Sequence, residues 1–289
     1  EQKPPQVEPE TASSTGTELS RGQSALWFLH QSDPASAAYH TAFALRLRGP
    51  IDAPKLQNIF TQLVSRHPQL RARFPRDAGT PICLVETESV FPFEIGDATA
   101  LTPSQLAAKV ARDYAQPFDL EQDSLLRVNL YQQSNREEAV LLCTIHHIVS
   151  DAWTNWLLLD EFRRLYSSTE PLPQLAAGYH DFVRWQKRFL ASPKAGEAWA
   201  FWQRTLAGPL PVSMLPLDFD RPVSLAARGA SVPLNFSPEL FSRLKTLAQS
   251  EGTTVFTLLL TAWQVWLHRH TGQNDIIVGS PTAGRSQAE

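Results

Sequence analysis

Apolar residues recur along this chain at helical spacing in some stretches and at strand spacing in others, and the interleaving of the two predicts a mixed α/β fold. Between Asp52 and Arg66, the residues Leu56, Ile59, Phe60, Leu63 and Val64 share one face at a period of 3.6, predicting an amphipathic helix that Pro68 closes. His40 to Leu47 alternates as a half-buried strand does, and Ser20 is placed to cap a short helix through Leu29. Farther along, the pattern predicts a strand around Pro81 to Glu86, a helix from Ser104 to Tyr114 and a strand from Leu125 to Gln132. A continuous apolar strand, Ala139 to Ile145, then gives way to a helix from Ala152 to Tyr166, which Trp153 and Trp156 are expected to anchor in the core. Helices over Tyr179 to Leu190 and Glu197 to Leu206 follow a proline-rich break.

Prolines at 209, 211, 216 and 222 mark a loop, and a domain boundary is placed there. Beyond it the pattern predicts a strand over Ala230 to Phe236, helices over Pro238 to Gln249 and Val255 to His270, and a buried strand over Asp275 to Gly279. Two strands and two helices leave sheet edges unpaired and an apolar face uncovered, so residues 208–289 are expected to be only the first part of a second lobe, after a first lobe over 18–207. Residues 1–17 are rich in Pro, Glu, Ser and Thr without an aromatic residue. They are expected to be a disordered interdomain linker of a longer polypeptide.

With 289 residues and 43% apolar content the chain can build a sizeable core, and a net charge of -3 gives no basic surplus to recruit nucleic acid. Cys83 and Cys143 lie in apolar strand-like contexts without CxxC or histidine-rich spacing. Reduced thiols are expected, with neither a zinc site nor a disulfide. No run of about 18 apolar residues predicts a membrane span, and the polar, acidic start is unlike a signal peptide. A cytoplasmic protein is the expectation.

The densest chemistry is the block His146-His147-Ile148-Val149-Ser150-Asp151-Ala152-Trp153, at the turn from strand to helix. Successive strand side chains point to opposite faces, so one histidine of the doublet looks into a cleft and the other into the packing. An imidazole titrates near neutrality and can accept, donate or steer a proton. Asp151, at the N-cap of the following helix, can bond backbone N–H groups or an arginine.

This block resembles the His-His-x-x-x-Asp-Gly motif of nonribosomal peptide synthetase condensation domains. Four other blocks fall in that family's order: Leu19 to Phe28 (LSRGQSALWF), Arg66 to Phe74 (RHPQLRARF), Tyr179 to Gln186 (YHDFVRWQ) and Gly279 to Arg285 (GSPTAGR). Pro117-Phe118-Asp119-Leu120, Asp220-Arg221-Pro222 and Arg228-Gly229 also recur there, so the resemblance runs from about Leu19 to the last residue. It implies two chloramphenicol-acetyltransferase-like lobes, each a mixed sheet flanked by helices, with a tunnel between them and the histidine motif midway. The segments with which the second lobe crosses back over the tunnel are not in this chain, which puts activity of the fragment alone in question.

By resemblance, the reaction joins a carrier-bound acyl or peptidyl thioester to the amine of a carrier-bound aminoacyl thioester. The partners are upstream and downstream acyl or peptidyl carrier proteins and an adjacent adenylation domain. Substrates ride on phosphopantetheine arms, and no metal or diffusible cofactor is expected. An α-amine with a pKa of roughly 7.7–8.0 is partly neutral near pH 7, so positioning is the main task. His147 is assigned to the tunnel, where it orients the amine, takes its proton or stabilises the tetrahedral intermediate; these roles stay open. His146 braces the turn, and Asp151 is expected to be structural, with Arg71 the position that would pair with it, the other reading of Arg71 being a solvated charge on a helix end. Ser150, Ala152, Trp153 and Arg285 fall where the tunnel wall is expected. Ala152 departs from the family's glycine, which matters only if φ is positive there.

Epimerization domains share the doublet but place their Ser-Trp later, and heterocyclization domains carry aspartates in place of the histidines. A freestanding acyltransferase using coenzyme A or a carrier-bound acyl group is one alternative reading. A degenerate, non-catalytic docking domain for carriers is the other.

Overall fold

A four-stranded sheet forms the centre of the first of two compact units in this computed structural model, which describes residues 16–88, 90–133, 137–168, 170–212, 215–220, 232–282 and 284. The division between the units falls between Ser192 and Pro193. In the first unit, α1 (Arg21–Ser32) begins at a capping box: the Gln23 N–H donates to Ser20 Oγ at 3.1 Å and the Ser20 N–H to Gln23 Oε1 at 3.0 Å. β1 (His40–Arg48) and α2 (Ala53–Arg66) follow, then a 3-10 turn over Pro68–Arg71. Four two-residue strands come next: β2 (Ala72–Arg73), β3 (Arg76–Asp77), β4 (Thr80–Pro81) and β5 (Leu84–Val85). The expected strand over Pro81 to Glu86 is thus split, with β5 pairing β2 and β4 pairing β3.

β6 (Phe93–Asp97), α3 (Pro103–Tyr114) and β7 (Leu126–Gln132) form a parallel β-α-β unit, with Phe93 opposite Val128. The sequence pattern did not predict β6. β8 (Glu138–His146) runs antiparallel between β1 and β7, giving the order β1-β8-β7-β6. As a central strand it is covered on both faces. Ala139, Leu141, Cys143 and Ile145 join the large core with Leu56, Ile59, Phe60, Leu63 and Val64 of α2. Val140 and Leu142 face the other way, toward Leu106 and Val110 of α3. That double coverage explains the unbroken apolar run. Cys83 and Cys143 are buried free thiols, and desolvation pushes both up, Cys83 to about 11.

α4 (Ala152–Ser167) packs on α2 through Leu158, Phe162 and Leu165. The buried Glu161 carboxylate joins the same face, accepting from Arg66 Nε at 2.9 Å and lying 2.6 Å from His67 Nε2. Trp153 and Trp156, expected in the core, are instead 58% and 73% exposed. At 100° per residue they fall opposite Leu158 and Phe162, on the side of Asp160, Arg163 and Arg164. α5 (Tyr179–Leu190) closes the unit over the start of α1: Tyr179 Oη meets Ser20 Oγ at 2.9 Å, and Gln186 Oε1 accepts the Arg21 N–H at 2.8 Å. Residues 1–15 of the expected linker lie outside the described residues. Thr17, its last residue, already pairs with Cys83 through N–H···O bonds of 2.9 and 2.7 Å.

The second unit contains α6 (Pro193–Thr205), α7 (Pro238–Ser250) and α8 (Val255–Thr271). α8 ends at Gly272, whose φ of 70° suits a residue without a Cβ. The described part of the expected strand over Ala230 to Phe236, and all of that over Asp275 to Gly279, carry no ladder. A strand persists only when another segment meets its N–H and C=O groups, and no described segment does so here.

Candidate active site

The site grows from the end of the β1–β8 ladder. His146 is the last residue of β8, directly opposite His40, and its N–H donates to the Leu125 carbonyl at 3.0 Å. The next N–H, of His147, donates to the Tyr39 carbonyl at 2.7 Å, and the doublet straddles the end of the strand and the first residue of the turn. Its two rings part accordingly: His146 is 2% exposed, and His147 is exposed to solvent.

Three aromatic neighbours surround the buried ring. His30, His40 and Phe118 meet His146 edge-on with centroids 5.9, 6.0 and 6.1 Å away. His40 Nδ1 bonds the Tyr114 carbonyl at 2.8 Å, and Tyr114 Oη donates back to the His40 carbonyl at 3.0 Å. His146 Nδ1 accepts the Ile148 N–H at 3.1 Å, which places the proton of the neutral ring on Nε2. Desolvation, reinforced by His40, His30 and His147, pulls the His146 pKa down to about 3. This ring is a neutral brace.

The turn after it is tied at every residue. Gln23 Nε2 donates to the Ile148 carbonyl at 3.3 Å, and the Val149 N–H to the His146 carbonyl at 3.1 Å. Ser150 Oγ donates to the His146 carbonyl at 3.2 Å and meets Thr41 Oγ1 of β1 at 2.9 Å. Asp151 caps α4, its Oδ1 accepting the Thr154 N–H at 2.7 Å and the Thr154 hydroxyl at 2.6 Å. Ala152 is the first residue of α4, and Ala78 alone among described non-glycine residues has a positive φ. The alanine therefore carries no backbone strain.

Ser150, Asp151, Ala152 and Trp153 thus gather at the turn with the doublet, but Arg71 does not join them as expected. Its guanidinium donates to the carbonyls of Glu86, Thr87 and Ser65 at 2.8, 3.1 and 3.5 Å, so it staples the loop after β5 to the end of α2. Among described contacts it makes none with Asp151. Arg285 lies outside the described residues. The sequence pattern did not point to Gln23, Thr41, His30 or His40. Only Gln23 had a local signal, as the third helical residue after the capping Ser20. The others reach the turn from 104 or more residues away in the chain, through the ladder and its layers.

The mixed sheet with helices on both faces is the chloramphenicol-acetyltransferase-like class of fold, as the match to solved condensation-domain structures shows. Within that class the chain belongs to the condensation-domain family, whose profile matches residues 14–289. It is 35% identical over 271 residues to tyrocidine synthase 3 of Brevibacillus parabrevis, covering 94% of this chain and 4% of that protein. It is 36% identical over 292 residues to malpibaldin synthetase of Mortierella alpina, covering 98% of this chain and 5% of that protein. Among solved structures, holo-AB3403, a four-domain nonribosomal peptide synthetase, superposes with a TM-score of 0.82 at 26% identity, over 97% of this chain and 21% of that one. The first condensation domain of the calcium-dependent antibiotic synthetase shares the fold at a TM-score of 0.75 and 21% identity, over 92% of this chain and 64% of that one.

Proposed function

We propose that this chain is a condensation domain of a nonribosomal peptide synthetase or a hybrid polyketide/peptide synthetase, forming an amide between a carrier-bound acyl or peptidyl thioester and the amine of a carrier-bound aminoacyl thioester. Carrier proteins holding both substrates on phosphopantetheine arms are its partners, with an adenylation domain alongside, in the cytoplasm. The observation that carries the reading is the division of labour in the doublet. His146 is buried and held neutral, while His147, one residue on, presents a solvent-open imidazole from a backbone fixed on both sides.

In this reading His147 meets the attacking amine. The amine nitrogen bonds to the thioester carbon, the amine proton leaves for His147 or water, and the carrier thiolate departs and is reprotonated. Holding the amine against the thioester supplies most of the acceleration, because a neutral amine is already a competent nucleophile. The degenerate-domain alternative draws on Ala152 and on the incomplete second lobe, and the helical geometry at Ala152 bears on the first ground alone. No helix among the described residues is long and apolar enough to cross a membrane.

The test is to load both carriers of the synthetase and follow amide product by intact-protein mass spectrometry. Product is expected from the parent and lost in His147→Ala. Formation at the parental rate in His147→Ala removes the assignment.

A further inference from the structure

We infer that Gln23 is a positioning residue for His147, acting through the carbonyl of Ile148. Its amide is buried and divided between two tasks. The oxygen accepts the Ser20 N–H at 3.0 Å and so completes the cap of α1. The nitrogen is not needed for that cap, since a glutamate in the same place caps a helix with oxygen alone. It donates instead to the Ile148 carbonyl at 3.3 Å and to Gln69 Oε1 at 3.2 Å.

The Ile148 carbonyl is an informative place for a buried donor. Ile148 directly follows His147, and its N–H is already taken by His146 Nδ1 at 3.1 Å. With Gln23 on the carbonyl, both polar groups of Ile148 are held by buried side chains, one from β8 and one from α1. The His147 N–H is held by the Tyr39 carbonyl at 2.7 Å. His147 is exposed, and the backbone beneath it fixes the point from which its ring projects. Gln23 is itself on a fixed base, because Tyr179 and Gln186 of α5 grip Ser20 and Arg21 at the start of α1. The alignment therefore runs from α5 through the α1 cap to the turn. A placement error at the reacting group is felt directly in rate.

Two variants separate the cap from the turn. Gln23→Glu keeps the capping oxygen and loses the donor; Gln23→Met keeps the volume and loses both, and stands in if the buried carboxylate prevents folding. In this chain with isotope-labelled histidine rings, each folded variant is expected to shift the ring resonances of His147 and leave those of His268, in the second unit, unmoved. Unmoved His147 resonances in a folded variant overturn the inference, whatever the reaction proves to be. The kinetic arm rests on the function proposed above. In the carrier-loaded synthetase the variants are expected to lower kcat about tenfold with KM for the acceptor unchanged, and to cost nothing further on the residual rate of His147→Ala. Additive losses there overturn the positioning role. An inactive parent overturns the functional reading alone.

Discussion

His40 stands directly across the β1–β8 ladder from His146, with ring centroids 6.0 Å apart and Phe118 edge-on to both. With His30 also edge-on to His146, three imidazoles cluster beside Tyr114, bordered by Arg127 over Phe118 and by Asp119 and Glu121 near His30. Burial lowers the pKa of all three, most of all that of His146.

Stability is therefore expected to fall in acid. His146 takes a proton near 6.5 when unfolded and only near about 3 when folded. Below 6.5 the unfolded state binds protons that the folded state refuses. The stabilisation is complete above that value and declines toward 3, by at most about 1.4 kcal/mol per pH unit for this one group. Urea unfolding at about pH 7.5 and about pH 5 measures the slope. A midpoint that does not move between the two contradicts the cage.

The doublet is expected to separate stability from chemistry. His147→Ala, on an exposed ring, changes unfolding free energy by less than about 0.5 kcal/mol. His146→Ala opens a cavity and orphans the Ile148 N–H, costing about 3 kcal/mol. Equal effects from the two substitutions in denaturant titrations are incompatible with the observed burial.

Glu161 joins α4 to the end of α2 through Arg66 and His67. Glu161→Ala leaves the Arg66 guanidinium and the His67 ring facing a buried gap and is expected to cost about 3 kcal/mol. Glu161→Gln costs less, because its amide oxygen still accepts from Arg66. Thermal unfolding of the pair of variants checks the order, and a milder effect for the alanine reverses it.

Trp153 and Trp156 give the outer face of α4 an optical handle. Acrylamide quenching of tryptophan emission is expected to fall measurably in Trp153→Phe and Trp156→Phe, because each removes an accessible indole, and neither substitution shifts unfolding by more than about 0.5 kcal/mol. Undiminished quenching in both variants places these rings inside.

The buried face of α2 was readable in advance because five apolar residues at helical spacing leave one packing solution, and all five are buried. The β8 run was legible as a continuous apolar strand, whereas His147 parts from His146 because the strand ends between them and the chain turns. β6 escaped because Phe93–Asp97 includes Gly96 and two acidic residues at a sheet margin, and its partner β7 lies beyond α3. Trp153 and Trp156 were misplaced by residue type, although angular position on the helix already set them apart from Leu158 and Phe162. Arg71 was assigned by motif order, which says nothing about which carbonyls lie nearest. The histidine cage was invisible because His30, His40, Phe118 and His146 converge only when the ladder closes.

That closure carries a consequence for how the chain is made. The pairing of His40 with His146 joins residues separated by 106 positions, and among the described residues β8 is the only partner of β1 in the sheet. During synthesis β1 must leave the ribosome and wait, with its ladder groups unpaired, until β8 emerges about a hundred residues later. Nascent chains interrupted in that interval hold a bare, alternating strand and are the ones a chaperone should find.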